Sequence, residues 1–277
     1  MIKFENTSVY GFLEAIRGMR NPMNSWEKSD SYGVFDIGPK DRALMESLIK
    51  GGPTHAKFRR MIIVWTDIIA PLYWWKEFDT YKVGTVGNSC STMHKIHAKE
   101  FSFDDFSLEH LDCFEACTHI DDFKDPFESV TSDMEDVPLA SFCSIDILDQ
   151  TIKALNYWRQ RFLDTKDKNA WWQMIQLLPS PYNQRRTIMM NYEVLAKIHS
   201  ERKDHKLDEW HAFDSRIHQL PNSWICIPEL FEEEHGRLVN IDDLEVVSCT
   251  DTEGYENTFD AGVQYILEKI NKLPTVK

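Results

Sequence analysis

The hydrophobic and polar positions of the chain form their clearest pattern in the stretch Phe58–Met93. An apolar run rich in β-branched residues predicts a strand over Arg59–Ile69, and because the run is nearly continuous, we expect this strand to be covered on both faces. The run ends at Ala70-Pro71, where proline favours the start of a helix over the aromatic segment Leu72–Tyr81. A loop rich in small and hydroxyl residues follows at Gly84–Thr92. A strand, a helix and a loop with free amides and hydroxyls commonly form a ligand site.

The remaining segments predict further helices and one more short strand. The predicted helices are Val9–Arg20, Lys40–Lys50, Leu139–Leu163, Ala170–Leu178, Asn191–Arg202 and Lys203–Leu220. The short strand is predicted at Arg186–Met190. The stretch Asn21–Pro39 holds Pro, Asn, Ser and Gly and predicts a loop, whereas the acidic stretch Ser102–Pro138 predicts a surface excursion.

The character of the chain changes after residue 220. Short strand-like pieces at Trp224–Ile227 and Leu244–Ser248 surround an acidic connection, and a final helix is predicted at Ala261–Leu273. We therefore predict one domain over residues 1–220 and an appended subdomain over residues 221–277.

Composition narrows the class of protein. The chain has 277 residues, of which 42% are hydrophobic, so it can bury a sizeable core. Its formal net charge of −14 argues against broad contact with a nucleic-acid backbone, although a nucleotide needs only a few placed cations. No apolar run approaches the length of a membrane-spanning helix, so we expect no membrane partner. The N-terminus lacks a signal-peptide pattern, so we expect a cytoplasmic protein with its six cysteines reduced.

The order of a strand, Ala-Pro, an aromatic helix and a motif loop resembles the flavin-dependent thymidylate synthases. In that family a His-Glu-x-Pro-Phe-x-His box precedes the strand. Here HAKFRRM (His55–Met61) stands at that place and keeps His55 and Phe58. Upstream, the segment Lys40–Gly52 resembles the family's charged helix that leads into the box.

A second match lies downstream and is more specific in its spacing. The family has Leu-Pro, an Arg six residues after that Pro, a strand followed by Asn, and an Arg eleven residues further. This chain has Leu178-Pro179, Arg185, Asn191 and Arg202 at those intervals. The DHKLDEW segment that follows resembles the family's D-x-H-A-Q-W-E. The resemblance spans roughly residues 10–215.

The chain departs from the family in the RHRxxSxNExSxRY motif. Counted from Ala-Pro without gaps, the motif positions fall on Thr80, Tyr81, Lys82, Thr85, Gly87, Asn88, Cys90, Thr92 and Met93. Small and hydroxyl character partly survives, whereas the guanidinium charges do not. The resemblance is therefore to the fold and the superfamily.

The resemblance implies an α+β fold with a mixed or antiparallel central sheet flanked by helices, followed by a C-terminal extension. It implies flavin-dependent transfer of a one-carbon unit to C5 of a pyrimidine deoxynucleotide similar to dUMP, giving a methyl or a hydroxymethyl product. FAD would be the cofactor, with NADPH and a methylene-folate as candidate co-substrates. The family's sites form between subunits of a homotetramer, so we expect an oligomer with shared sites.

The same resemblance implies roles for individual residues. Arg185 matches the Arg that binds the nucleotide phosphate. The other candidate substrate residues are Lys82, Thr85, Asn88, Ser89 and Ser91, and the candidate cofactor residues are His55, Asn191, Arg202 and Tyr81. Tyr81 is also a candidate catalytic residue, because its ring could stack on a substrate or flavin ring. Cys90 replaces a Ser beside the pyrimidine, where a thiolate could add to C6 and activate C5.

Each of these interpretations has a structural alternative. Arg202 could be a helix-end cation, and Trp74 and Trp75 could be core residues rather than stacking platforms. The groups Cys113-x3-Cys117-x-His119 and His94-x2-His97 allow a metal site, although neither has the paired C-x2-C spacing of structural zinc. Two alternative functions stay open. The chain could be a catalytically altered relative that binds a nucleotide or flavin for regulation or assembly, or a metal-dependent protein.

Overall fold

A four-stranded antiparallel sheet forms the centre of the molecule. The structure, a computed structural model, describes residues 2–111 and 144–231. The strands are β1 (Lys3–Tyr10), β2 (Ile63–Pro71), β3 (Thr85–Ser89) and β4 (Asn183–Asn191). Their order is β1-β2-β4-β3, and every neighbouring pair is antiparallel. The predicted α+β class with a central antiparallel sheet is confirmed.

Seven helices surround this sheet in the described residues. They are α1 (Phe12–Arg20), α2 (Pro39–Lys50), α3 (Leu72–Phe78), α4 (Ser144–Thr165), α5 (Lys168–Leu177), α6 (Tyr192–Arg202) and α7 (Asp208–His218). The helices predicted within the described residues are therefore present, with different ends, whereas residues 139–143 of the predicted helix Leu139–Leu163 and the predicted helix Ala261–Leu273 lie outside the described ranges. The first one starts later than predicted because residues 9 and 10 belong to β1. That strand gives no alternating pattern, since Asn6 has a positive φ of 52° and the register with β2 shifts between Glu5 and Ser8.

Strand β2 buries only one face within this chain. Val64, Thr66 and Ile68 are buried, whereas the side chain of Trp65 is 46% exposed. The prediction that both faces are covered is wrong for the described part of the chain. Residues 57–61 form a 3-10 helix instead of the predicted first part of the strand. The outer face of β2 is uncovered because it carries charged side chains: Asp67 binds Arg185 of β4, which also pairs with Glu5 of β1.

Helix α3 supplies the aromatic centre of the main core. Trp74, Trp75 and Phe78 are buried, and the ring of Trp74 lies 4.9 Å from that of Trp210 and 5.7 Å from that of Phe213. Burial of each such ring contributes on the order of 2–3 kcal/mol. Trp74 and Trp75 are therefore core residues and offer no free face for a ligand ring.

Residues after 220 extend this same core. Trp224, Ile225, Cys226 and Ile227 are all buried in it, and the first compact unit spans Met1–Glu232. The predicted strand at Trp224–Ile227 is wrong, because Ser223–Ile225 form a 3-10 turn. The predicted boundary after residue 220 thus lies inside the first unit.

Several predicted features lie outside the described residues. They are the larger part of the acidic stretch Ser102–Pro138, Cys113, Cys117, His119, the strand Leu244–Ser248 and the helix Ala261–Leu273. Within the residues that are described, no helix combines the length and the apolar character needed to cross a membrane.

Candidate functional site

The segment predicted as a small-residue loop is largely an edge strand. Thr85 pairs with Met190 and Ser89 pairs with Arg186, so β3 uses part of its backbone in the sheet. The loop prediction is wrong at residues 85–89, because β4 offers a free edge to which this segment adds. Gly84 makes the entry to β3, and its φ of +80° favours glycine. A Cβ at Gly84 would lie 2.7 Å from Asn191 Nδ2.

Two clefts lie on either side of Tyr81 and Lys82. The turn cleft, between this turn and α6, has a volume of about 360 Å³ and is lined mainly by Arg60, Tyr81, Lys82, Val83, Gly84, Asn191, Glu193 and Lys197. The edge cleft, beside β3 and β4, has a volume of about 320 Å³ and is lined by Phe78, Asp79, Tyr81, Lys82, Thr85, Gly87, Arg186 and Ile188. The structure thus brings together four residues that the sequence singled out, Tyr81, Lys82, Thr85 and Asn191.

The polar groups that line the edge cleft differ in whether they are free to bind a ligand. The Thr85 hydroxyl oxygen is buried and has no hydrogen-bond partner among the described residues. Lys82 is exposed and lines both clefts. Arg186 donates hydrogen bonds to Asp79 at 2.7 Å and Gln184 at 2.9 Å, and its guanidinium lies 4.1 Å from the ring centre of Trp75. Arg186 is a cation of this cleft that the sequence did not indicate, because the family spacing matches the preceding residue, Arg185.

Arg185 lies on the opposite face of the sheet from both clefts. Neighbouring side chains of a strand point to opposite faces, so Arg185 joins the outer face while Arg186 faces the edge cleft. Its Nη2 is 2.7 Å from Asp67 Oδ2 and 2.9 Å from Glu5 Oε2. The hydrogen bond from Arg185, with others from Thr187 and Asn6, lowers the pKa of Asp67 to about 2. Within one chain, Arg185 is thus paired with carboxylates and lines none of these clefts.

Tyr81 and Arg202 belong to one hydrogen-bond network under the turn. The Tyr81 hydroxyl donates to Glu201 at 2.9 Å and accepts from Arg202 Nε at 2.9 Å. Arg202 Nη1 also donates to Glu77 at 2.8 Å, and Trp210 Nε1 donates to the same carboxylate. Burial raises the pKa of Tyr81. This network fixes both side chains, and Arg202, at the end of α6, is paired with Tyr81 and Glu77 and lines neither cleft.

Asn191 occupies the turn cleft as the N-cap of α6. Its Oδ1 accepts a hydrogen bond from the backbone N–H of Val194 at 3.0 Å, which satisfies one free donor of the first helical turn. His55 is exposed in the loop after α2, packs against Gly51 and lines none of the cavities described here.

Cys90 continues the chain beyond β3 at the exposed end of the sheet. Its thiol is free and exposed, while its backbone N–H donates to the Arg185 carbonyl at 2.9 Å. Its own carbonyl accepts from Gln184 Nε2 at 2.7 Å. Asn88 and Ser89 are exposed nearby, and the Ser91 hydroxyl accepts from the backbone N–H of His94 at 2.8 Å. These residues form a polar end of the sheet, next to the backbone of Arg185.

The largest of the cavities described here runs along the outer face of α6. This helix cavity has a volume of about 710 Å³ and is lined by Pro53, Arg59, Glu193, Ala196, Lys197, His199, Ser200, Glu201, Cys226, Pro228 and Glu229. Helix α6 forms most of the cavity wall, and Pro53, Arg59 of the box segment, Cys226, Pro228 and Glu229 form the rest. Residues that the sequence placed in an appended subdomain therefore complete this cavity.

Arg59 is the most unusual residue of the helix cavity. It is only 9% exposed, yet its Nε and Nη2 have no hydrogen-bond partner among the described residues. Glu193 Oε2 is likewise buried without a partner. Desolvation lowers the pKa of Arg59, and burial raises the pKa of the Cys226 thiol beside it. A buried guanidinium is costly unless its donors are satisfied, so the free donors of Arg59 can bind an acceptor group in this cavity, where Glu193 already supplies one negative charge. In the sequence, Arg59 stands in the box segment HAKFRRM beside Arg60, and the family's box pattern, which matches at His55 and Phe58, gives it no role.

The histidine pair His94-x2-His97 does not form a metal site with other described residues. His97 lies with its ring centre 4.8 Å from that of Phe162, and burial lowers the pKa of His97. No third His, Cys, Asp or Glu of the described ranges joins this pair.

Comparison with known proteins identifies the fold. No family model and no curated protein matches the sequence. Thymidylate Synthase X from Helicobacter pylori, a structure with FAD and dUMP, superposes with a TM-score of 0.52 at 16% identity, covering 86% of this chain and 100% of that chain. The UMP/dUMP methylase PolB from Streptomyces cacaoi, bound with 5-Br dUMP, gives a TM-score of 0.51 at 13% identity, covering 79% of this chain and 88% of that chain. The chain therefore has the fold of the flavin-dependent thymidylate synthases, as its sequence motifs predicted.

Proposed function

We propose that this chain is a flavin-dependent enzyme that transfers a one-carbon unit to C5 of a pyrimidine nucleotide. The fold is shared with proteins whose structures hold dUMP or 5-Br dUMP. The observation within this chain that supports the proposal most strongly is Arg59. It presents two unpartnered, buried N–H positions to a cavity of about 710 Å³ in a segment that corresponds to the family's box.

The helix cavity is the proposed FAD site because of its volume and its two cations, Arg59 and Lys197, which share the lining with Glu193, Glu201 and Glu229. The unsatisfied donors of Arg59, together with the ammonium of Lys197, suit the diphosphate of a dinucleotide cofactor. FAD, when bound and reduced by NADPH, would supply hydride to the transferred carbon. The walls formed by α6 and the turn after residue 225 would exclude water from the reduced ring. Asn191 would present a fixed amide to a ligand in the neighbouring turn cleft, because its side chain is held by the N–H of Val194 at the start of α6.

The edge cleft is the proposed nucleotide site. Lys82 would neutralise part of the phosphate charge, and the unpartnered Thr85 hydroxyl would bind a polar edge of the ligand. Within one chain the Arg185 side chain points away from the edge cleft, so it could contact only a nucleotide held by a second copy of the chain. The phosphate would then compete with the Asp67 carboxylate for the Arg185 guanidinium. We propose a homotetramer with shared sites for this reason. Asn88, Ser89 and Ser91 would line such a site from the polar end of the sheet.

Cys90 is the proposed nucleophile, because its thiol is free and exposed. It lies beside the Arg185 backbone and lines none of the clefts described here within one chain, so, like Arg185, it would reach the nucleotide only in a site shared with a second copy. The thiolate would form a bond to C6, which makes C5 nucleophilic towards the one-carbon donor. C5 would then bond to the methylene carbon of the folate. Loss of the C5 proton with expulsion of tetrahydrofolate would leave an exocyclic methylene group, and addition of hydride to that carbon with elimination of the thiolate from C6 would restore the ring as the 5-methyl product. NADPH as the reductant, a methylene-folate as the donor and a cytoplasmic location complete the proposal. A Cys90→Ser variant with unchanged turnover and no covalent nucleotide adduct by intact-mass analysis would exclude this role for Cys90.

The cofactor assignment is tested by FAD binding. Purified protein should show the visible absorbance of oxidised flavin or take up added FAD with quenching of flavin fluorescence. Arg59→Gln should weaken FAD binding about tenfold or more, because it removes a charged donor from a buried site. Lys57→Gln is the matched control, since Lys57 is exposed on the same 3-10 helix. A colourless protein that binds neither FAD nor dUMP would contradict the proposal.

A second candidate function is supported by the altered motif. Thr80, Tyr81 and Lys82 replace the family's Arg-His-Arg, and Tyr81 is fixed by Arg202 and Glu201 rather than free in a cleft. The chain would then bind a nucleotide or flavin for regulation or assembly. Release of tritium from C5-labelled dUMP in the presence of FAD, reductant and methylene-folate separates the two. Binding without tritium release favours the regulatory protein, whereas release favours the enzyme.

A further inference from the structure

Two histidines and one aspartate meet where helices α6 and α7 pack together. His199 lies in the last turn of α6, and Asp214 and His218 occupy positions i and i+4 of α7. One potential ligand atom from each of the three side chains lies within 4.8 Å of the other two. Residues at i and i+4 share a helix face, so α7 presents Asp214 and His218 together towards His199.

The spacing of these atoms suits a transition-metal ion. His199 Nδ1 lies 2.7 Å from Asp214 Oδ1, and His218 Nε2 lies 3.5 Å from Asp214 Oδ2. Ligands bound about 2.0–2.1 Å from a tetrahedral zinc ion are separated by about 3.3 Å. Small rotations of the side chains would therefore place all three donors around one ion. Two imidazoles and one carboxylate form a donor set that Zn²⁺ uses with an open fourth position.

The second nitrogen of His199 provides an independent observation. His199 Nε2 is buried and has no hydrogen-bond partner among the described residues, and the closest carboxylate oxygen recorded for it, on Glu229, is 3.8 Å away. If the Nδ1 proton is donated to Asp214, Nε2 is left as an acceptor facing a carboxylate. A metal ion on Nδ1 instead moves the proton to Nε2 and directs it at Glu229. Ligating histidines commonly donate their other N–H to a carboxylate in this way.

Charge and access are also compatible with a bound cation. Asp214 brings one negative charge, and Glu229 a second, which is shared with Lys203 at 3.2 Å. The side chain of His199 is 7% exposed and that of Asp214 is 17% exposed, whereas that of His218 is 43% exposed. The site is thus desolvated on the α6 side and open to solvent at His218, through which an ion and a water ligand could enter.

We propose that His199, Asp214 and His218 bind one divalent transition-metal ion of the Zn²⁺ class, with Glu229 orienting His199. The ion would connect the end of α6 to α7. This site is separate from the Cys113, Cys117 and His119 group of the sequence. It shares His199 and Glu229 with the lining of the helix cavity, but its donor atoms and its test do not depend on the proposed flavin function. The competing arrangement is the hydrogen bond between His199 Nδ1 and Asp214 Oδ1 without a metal.

The proposal is tested with the full chain after removal of metals by a chelator. Titration with Co²⁺ should produce the visible bands of four-coordinate cobalt, and Zn²⁺ should displace them with one equivalent per chain at this site. His218→Gln should weaken Zn²⁺ binding at this site by about 100-fold, whereas Glu229→Gln should weaken it by about tenfold. His211→Gln is the matched control, since His211 is also exposed on α7 but outside the cluster.

His218→Gln is the primary variant because its exposed side chain can change without disturbing the core. Asp214→Asn provides a second variant, checked by circular dichroism for an intact fold. Loss of the cobalt bands in His218→Gln but not in His211→Gln supports the proposal. Absence of cobalt bands and of Zn²⁺ binding in the unaltered protein, or equal binding by all variants, overturns it in favour of the metal-free hydrogen bond between His199 and Asp214.

Discussion

The carboxylate of Asp67 on the outer face of the sheet should make the stability of the protein depend on acid pH. Asp67 accepts hydrogen bonds from Arg185, Thr187 and Asn6, and its pKa is lowered from 3.8 to about 2. A shift of that size corresponds to about 2.4 kcal/mol of unfolding free energy. Because the Arg185 side chain is 42% exposed, solvent screening reduces this to about 1–2 kcal/mol. Asp67→Asn should lose that amount at neutral pH.

The sign of the pH dependence follows from the direction of the shift. A depressed pKa means that the contribution is fully present above the unfolded pKa near 3.8 and disappears as pH falls through about 2. Urea unfolding, followed by circular dichroism at pH 7, 5, 4 and 3, should therefore show the difference between the unaltered protein and Asp67→Asn shrinking below pH 4. Asp79→Asn is the control, because Asp79 is 53% exposed in its pair with Arg186. A difference that is constant across this range would refute the reasoning.

Two further predictions concern the core and the turn. Trp224→Ala should destabilise the protein by about 3–5 kcal/mol, because Trp224 is only 2% exposed in the main core, and chemical unfolding measures this. A loss below about 1 kcal/mol would contradict the extension of the core beyond residue 220. Gly84→Ala should cost about 1–2 kcal/mol, since its φ is +80° and the new Cβ would lie 2.7 Å from Asn191 Nδ2. Gly33→Ala, whose Cβ would meet nothing within 4 Å, should change the melting temperature little, and equal effects of the two changes would contradict the strain argument.

The sequence predicted the helices and the central strands well because their signals are local. The apolar spacing of Lys40–Lys50 and Asn191–Arg202 gave helices with ends close to the observed ones. Strand β1 was not predicted, because its residues are largely polar and a bulge interrupts its alternation. Strand β3 was interpreted as a loop because its Gly, Asn and Ser residues have low strand propensity, and only the free edge of β4 recruits them.

The candidate site likewise has some features that the sequence indicates and others that depend on the folded chain. The family resemblance singled out Tyr81, Lys82, Thr85 and Asn191, and these four residues line the two clefts beside the turn, while their roles stay predictions. It could not tell Arg185 from Arg186, because which of two adjacent strand residues faces a cleft depends on register. It also gave Arg59 no role, because a buried guanidinium without a partner is visible only after the chain has folded.

By itself, the sequence determined the class of fold, the order of its main elements and the absence of the family's Arg-His-Arg. These properties follow from local periodicity and residue identity, which folding does not change. The tertiary structure alone decided that residues 223–227 complete the main core, that Arg185 pairs with Asp67 and that His199 meets Asp214 and His218. Such contacts join residues distant in the chain, so they depend on packing and strand register rather than on any local pattern.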